Sequence, residues 1–179
     1  MPESPEIAAA SARARAACAE TAGRLASAGV PREYLAEYVE PRRGFLRIKP
    51  PTMRALGEVW RLGALLLTDS GELYALGHAT RAAERGRPGY QSLSREERRE
   101  IAAAALRGGY AVGDEVNYDA APIPLDATPA VGTELPVGYD SGELRVRWRV
   151  GAPLSGAPTL ASYLAERADL LIDPPFSER

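Results

Sequence analysis

The stretch VWRLGALLLTDSGELYALGHATR, residues 59–81, decides how this chain folds. Two apolar runs flank a short polar segment. Setting Thr68 opposite Glu72 leaves the loop Asp69-Ser70-Gly71. That is a type I turn followed by a left-handed residue, where glycine is favoured because it has no Cβ to clash. The same pairing sets Leu67 against Leu73, Leu66 against Tyr74 and Leu65 against Ala75. A hairpin continued further sets Gly63 against Gly77. One face would then carry Trp60, Leu62, Ala64, Leu66, Tyr74, Leu76 and His78. The other would carry Leu65, Leu67, Leu73 and Ala75 and end in a flat floor of Gly63, Gly77 and Ala79. Such a floor takes either a closely packed helix or a ligand, and the alanine-rich helices elsewhere favour the helix.

The pentapeptide DSGEL recurs at residues 140–144. The same loop would pair Tyr139 with Glu143. The outgoing run LRVRWRV alternates strictly, which points Leu144, Val146, Trp148 and Val150 inward and Arg145, Arg147 and Arg149 outward. Pro136 and Gly138 mark its incoming partner as an edge strand, since proline cannot donate to a ladder. Beyond the five shared residues the similarity stops: the alignment sets Gly77 against Trp148 and His78 against Arg149. The recurrence therefore reads as one turn sequence used twice in an antiparallel meander, with no duplication and no shared binding loop.

Helices are expected on three further segments. From about Pro5 to Ala28, Ile7, Ala14 and Thr21 share one heptad position and Ser11, Cys18 and Leu25 its partner. This stripe of small residues allows close approach, and Gly29 then Pro31 close the helix. In SREERREIAAAALRGG, Ser94 fits the N-cap and Glu97 completes a capping box, while Gly108-Gly109 stops the helix. From about Thr159 to Leu171, Thr159 caps a helix whose face carries Leu160, Tyr163, Leu164 and Leu171. A short helix is expected at Arg32 to Val39. PRRGFLRIKPP and EVNYDAAPIPLD read as extended, each interrupted by proline. The fold expectation is one α+β domain over residues 1–179. An antiparallel sheet of hairpins, with a middle helix inside about 43–150, packs against the helices at about 5–28 and 159–171.

Composition limits the chemistry. The 179 residues include 45% hydrophobic and 26% charged side chains at a net charge of −2. No global field draws nucleic acid or an anionic membrane, so neither partner is expected, and any basic patch is local. Cys18 is the one cysteine and His78 the one histidine, so cysteine-based zinc sites and multi-histidine metal sites are excluded. No metal or cofactor is expected. Arginines interrupt the alanines of the N-terminal stretch, so no signal-peptide core is seen there, and a cytoplasmic setting is expected.

Each chemical candidate has a plainer structural reading. Cys18, mid-helix in AACAE, reads as a core cysteine because a nucleophile needs a depressed pKa and a base. His78 reads as a partly buried structural histidine on the hairpin face. Asp114, Glu115, Asn117 and Asp119 offer oxygen ligands but lack the spacing of a calcium loop. Arg145, Arg147 and Arg149 could meet an anion, although strand-face arginines usually pair with neighbouring acids. The best candidate surface is the loop Arg85 to Ser92 beside the N-terminus of the middle helix, where free N–H groups and the dipole favour anions. Arg85, Arg87, Tyr90, Gln91 and Ser92 are its candidate ligand-binding residues, with Asn117 added from the following strand.

VWRLGALLLTDSGELYALG, RGRPGYQSLSREERREIAAAALRGG and EVNYDAAPIPLD together resemble a family of small, uncharacterised actinobacterial proteins. The resemblance covers Glu40 to about Asp126 best. Some members carry the label glutaminase, and the resemblance implies that activity as an expectation, without a set of catalytic residues. The glutaminase mechanisms known by their motifs are not found. Leu46 stands where a Ser-x-x-Lys pair ending at Lys49 would need its serine, and Cys18 lies between Ala17 and Ala19 instead of on a glycine-flanked elbow. The functional expectation is a module that binds a small polar molecule or a protein partner. Amide hydrolysis and homo-oligomeric assembly are the alternatives.

Overall fold

The structure is a computed structural model that describes residues 5–43, 48–86, 93–125 and 134–175. In chain order its elements are α1 (Pro5–Ser27), β1 (Glu33–Val39), β2 (Arg42–Arg43), β3 (Ile48–Lys49), β4 (Thr52–Leu62), β5 (Leu65–Leu67), β6 (Leu73–Ala75) and β7 (His78–Arg81). They continue with α2 (Leu93–Arg107), β8 (Glu115–Tyr118), β9 (Ala121–Pro122), β10 (Val137–Asp140), β11 (Glu143–Val146) and α3 (Leu160–Ile172). The class is α+β, as expected, and the strand pairs are antiparallel except for β1 with β8. No helix among the described residues is long and apolar enough to cross a membrane. The chain divides into two compact units, and β4 contributes Thr52 to Val59 to one and Trp60 to Leu62 to the other.

The first unit comprises residues 1–31, 60–75 and 121–179. Its sheet runs from the end of β4 through β5 and β6 to β9. The first DSGEL loop has the expected register: Leu67 faces Leu73, Leu66 faces Tyr74 and Leu65 faces Ala75. The continuation to Gly63 is corrected. Leu62 faces Leu65 and Trp60 faces Leu67, so Gly63-Ala64 is itself a two-residue turn. Gly63, at φ +64°, takes the first central position, where a tight hairpin wants glycine. Because side chains alternate with period two, this shift moves Trp60 and Leu62 onto the face of Leu65, Leu67 and Leu73, and all five share one core. Gly63 and Gly77 therefore do not form a common floor. Gly63 lies under the Tyr163 hydroxyl, which accepts the Ala64 N–H at 3.0 Å and donates to the Leu62 carbonyl at 3.2 Å. A side chain at Gly77 would strike the backbone at Asp119.

α1 buries Ala14, Ala17, Cys18, Ala22 and Leu25 in this core, and α3 adds Leu160, Leu164 and Ala168. α1 ends as read: Gly29 is left-handed, its N–H reaches Ala26, and the Val30 N–H reaches Leu25. Thr159 caps α3 by accepting the Ser162 N–H at 3.2 Å. Leu171 departs from the expected face and is exposed, since the buried line follows Leu160, Leu164 and Ala168 at intervals of four. At the second DSGEL, Tyr139 faces Leu144 and Asp140 faces Glu143, which leaves only Ser141-Gly142 in the turn. Leu144 and Val146 are buried as expected. Trp148 is 74% exposed, because β11 ends at Val146 and the alternation ends with it.

The second unit comprises residues 32–59 and 76–120. Its strands run in the order β7, β8, β1, β4. The helix expected at Arg32 to Val39 is instead strand β1. Glu, Leu and Ala favour helix, but seven residues make a marginal helix in water, whereas β4 and β8 offer backbone partners on both sides. A bulge at Leu35/Ala36 leaves Leu56 as the extra residue opposite, next to Gly57 at φ +151°. α2 starts at Leu93, which places Ser94 inside the first turn instead of at the N-cap. Its glycine stop is as read: left-handed Gly109 bonds Leu106, and the Tyr110 N–H reaches Ala105. A Cβ on Gly108 would enter the Met53 carbonyl, so this close crossing needs glycine. α2 packs Ala104 and Ala105 with Ala36, Met53, Val116 and Tyr118.

Candidate functional site

A groove of about 980 Å³ lies in the first unit. Three pieces of chain build it. α1 supplies Arg15 and Ala19, the first DSGEL turn supplies Ser70 to Tyr74, and the segment around β9 supplies Pro122 to Leu125. The turn is fixed first. Thr68 N–H donates to the Glu72 carbonyl at 3.0 Å, and the Glu72 N–H returns to the Thr68 hydroxyl at 2.9 Å. The Thr68 and Ser70 hydroxyls lie 2.8 Å apart, and Ser70 also reaches the Glu72 carboxylate at 3.3 Å. The turn rests on α1, with Ala19 N 3.5 Å from where a Cβ on Gly71 would stand. β9 is held to β6 by the Ile123 N–H on the Leu73 carbonyl at 2.8 Å.

The floor is apolar, made by Leu73, Ile123, Leu125 and the two prolines. Four polar side chains line the groove as well: Arg15, Ser70, Glu72 and the Tyr74 phenol. Burial, with the Glu72 charge second, holds the Tyr74 pKa above its ordinary value and keeps the phenol a donor at neutral pH. Arg13 and Arg24 on the same helix pair with Glu143 and Asp169 at 3.0 and 2.5 Å. Arg15 has no acidic partner among the described residues. A few polar groups over an apolar floor, in a volume of this order, are the usual make-up of a small-molecule site.

The residues singled out in the sequence are not brought together there. Arg87, Tyr90, Gln91 and Ser92 lie outside the described residues. Arg85 pairs with Glu100 at 3.1 Å, in the second unit. Asn117 is fully buried in β8 and donates to the Glu33 carboxylate at 2.8 Å and the Tyr34 carbonyl at 3.2 Å, so it acts inside the sheet. Asp114 accepts the Ala111 N–H at 2.8 Å, and Glu115 pairs with Arg81. No group of metal-ligating side chains occurs among the described residues. Arg145 and Arg147 do not form a free basic face: they bond the carbonyls of Ala157, Ala152 and Leu135 at 2.6, 3.0 and 3.2 Å. Arg149 stacks on Trp148 at 4.4 Å.

Cys18 is in the core as expected, and burial pushes its thiol up to about 11. It stays protonated at neutral pH, the reverse of what a nucleophile requires. His78 corrects its reading. It is exposed on β7, opposite Tyr118 with ring centroids 5.5 Å apart, because β7 leaves the first hairpin and pairs with β8. Cys18 and His78 belong to different units. The sequence held two signals for the groove that went unread: the alternating prolines of PIPL, which remove backbone donors along an edge, and Arg15 on the outer side of α1. What joins them to Gly71 is tertiary. No family model matches the chain, and neither a curated protein nor a solved structure matches it.

Proposed function

We propose that this chain is a binding module whose groove holds a small polar ligand with an anionic group and an apolar body. The observation that carries the reading is the Arg15 guanidinium, without an acidic partner among the described residues, beside the apolar floor of Leu73, Ile123 and Leu125. Arginine grips a carboxylate through paired N–H groups, and the floor gains by covering apolar surface. Glu72 and Tyr74 give the ligand an orientation. Glu72 suits a cationic or hydroxyl group, and the Tyr74 phenol donates to an acceptor. An α-amino acid or a short-chain carboxylate has this chemistry. Glutamine belongs among the candidates, because the family resemblance implies it.

A thermal-shift panel of amino acids, small carboxylates, sugar phosphates and nucleotides tests this. A ligand that binds only the folded state stabilises it, by about 2.7 kcal/mol at a hundredfold excess over Kd. The expected result is a rise confined to carboxylates that is lost in Arg15→Ala and kept in Arg13→Ala. A flat panel, or a rise that Arg15→Ala leaves intact, overturns the assignment. Ammonia release from glutamine by the pure protein, retained in Cys18→Ala, would replace binding with hydrolysis at a site other than the thiol.

A further inference from the structure

Arg15 and Glu72 line one groove with opposite charges, yet they form no ion pair with each other. Among the described residues Arg15 has no acidic partner and Glu72 no basic one. The Glu72 carboxylate accepts the Ser70 hydroxyl at 3.3 Å. Elsewhere in the first unit opposite charges do pair: Arg13 with Glu143, Arg24 with Asp169 and Arg145 with Asp140. The groove is also sorted into donors and acceptors. The nearby backbone donors of the turn are taken, Gly71 N–H by the Thr68 carbonyl at 3.1 Å and Glu72 N–H by the Thr68 hydroxyl at 2.9 Å. That leaves Arg15 as the charged donor and the Tyr74 phenol as a neutral one. β9 is last in its sheet order, and Pro122 faces Tyr74 next to the hydrogen-bonded Ile123 and Leu73. Bonding alternates along an antiparallel pair, so Pro122 turns its carbonyl away from β6. Neither Pro122 nor Pro124 has an N–H to offset that acceptor.

A cation and an anion left apart in one groove complement a ligand that carries both charges. We propose that the groove selects a zwitterion: an α-amino acid with a large apolar side chain, its carboxylate on Arg15, its ammonium on Glu72 and the Pro122 carbonyl, and its side chain over Leu73, Ile123 and Leu125. This rests on the groove being the ligand site, and it narrows the ligand in three ways. A phosphate or a dicarboxylate meets repulsion at Glu72. A simple carboxylate satisfies Arg15 and leaves Glu72 unused. A side-chain amide, as in glutamine, costs free energy to strip of water, and Leu73, Ile123 and Leu125 offer it no partner. An apolar side chain gains by covering the same three residues.

The test is calorimetric titration of the full chain with leucine, with isocaproate, which is leucine without its ammonium, with leucinamide, which lacks the carboxylate, and with glutamine. Leucine is expected to bind most tightly. Isocaproate and leucinamide should each bind roughly tenfold less tightly, the worth of one hydrogen bond to a charged group. Glu72→Gln should weaken leucine by that factor and leave isocaproate unchanged, so that the two ligands converge. Arg15→Gln should weaken both. Arg15 and Glu72 are exposed, so the melting temperature without ligand should hold in each variant. Equal binding of leucine and isocaproate, both dependent on Arg15, overturns the zwitterion and leaves the carboxylate site standing. A preference for leucine that survives Glu72→Gln overturns the place given to the ammonium. Tighter binding of glutamine than of leucine overturns the apolar side chain. Absence of binding by all four overturns the proposal outright, while the thermal-shift panel separately decides whether another carboxylate occupies the groove.

Discussion

Asp69 to Leu73 and Asp140 to Leu144 have the same five residues, yet the backbone turns differently at each. The first closes Thr68 on Glu72 around three residues, with only Gly71 left-handed at φ +83°. The second closes Asp140 on Glu143 around two, with Ser141 at +50° and Gly142 at +83°. The residue in front accounts for the difference. The Thr68 hydroxyl accepts the Glu72 N–H, which the wider loop leaves without a ladder partner. Tyr139 has no such acceptor near its backbone, so the second turn tightens until Asp140 and Glu143 pair directly. Contacts outside the turn reinforce each outcome. Gly71 rests on α1, whereas Arg13 reaches across from α1 to the Gly142 carbonyl at 2.6 Å and the Glu143 carboxylate at 3.0 Å.

The strands beyond the turns extend the contrast, and the largest expected effects lie there. Leu65, Leu66 and Leu67 are buried in succession, so both sides of β5 are covered. β11 alternates, with Leu144 and Val146 in and Glu143 half-exposed. Leu66→Ala and Leu67→Ala should each cost about 3 kcal/mol, from lost transfer energy and the cavity left behind. At the second hairpin Leu144→Ala should cost about as much, but its neighbour Glu143→Ala under about 1 kcal/mol, the usual worth of an exposed ion pair. Urea unfolding of the four variants checks this. Equal losses at Glu143 and Leu144 would remove the distinction between a strand covered on both faces and one covered on one.

A smaller effect isolates the Thr68 hydroxyl. Thr68→Val keeps the shape of the side chain and leaves the Glu72 N–H without its acceptor, which should cost about 1 to 2 kcal/mol. Hydrogen exchange at Glu72 should quicken with it. A loss of only a few tenths of a kcal/mol, with exchange unchanged, would mean that something other than Thr68 selects the wider loop.

The same contrast explains what could be read in the sequence. Thr68, Gly71 and the flanking leucines specify the first turn locally, and its register was legible. The three long helices were legible from their stripes, from the Thr159 N-cap and from the stops at Gly29 and Gly108-Gly109. Residues whose conformation depends on distant partners were not. EYLAEYV has helix-forming composition, and β4 and β8, the latter through a parallel pairing with no local signature, make it a strand. WRLGALLLT reads as one apolar run until Gly63 is seen to turn it. The candidate site is less legible still. The groove needs Arg15, Gly71 and Ile123 together, and no periodicity connects a helix face, a turn and a proline-interrupted edge.

The smallest effect is the sharpest, because one substitution at equivalent positions should change sign. Ser141 is a non-glycine residue at positive φ, a conformation that costs an L-residue about 1 to 2 kcal/mol. Ser141→Gly relieves that strain, while the added freedom of the unfolded chain returns about 0.5 to 1 kcal/mol of the gain. A net stabilisation of about 0.5 kcal/mol is expected. Ser70 is not left-handed, and its hydroxyl lies between Thr68 and Glu72. Ser70→Gly therefore gains nothing in strain, loses that bonding and loosens the unfolded chain, for a cost of about 1 kcal/mol. Matched urea midpoints decide it. A shift of the same sign in both variants would mean that the two turns are alike in solution, and that the residue before each Asp does not choose between them.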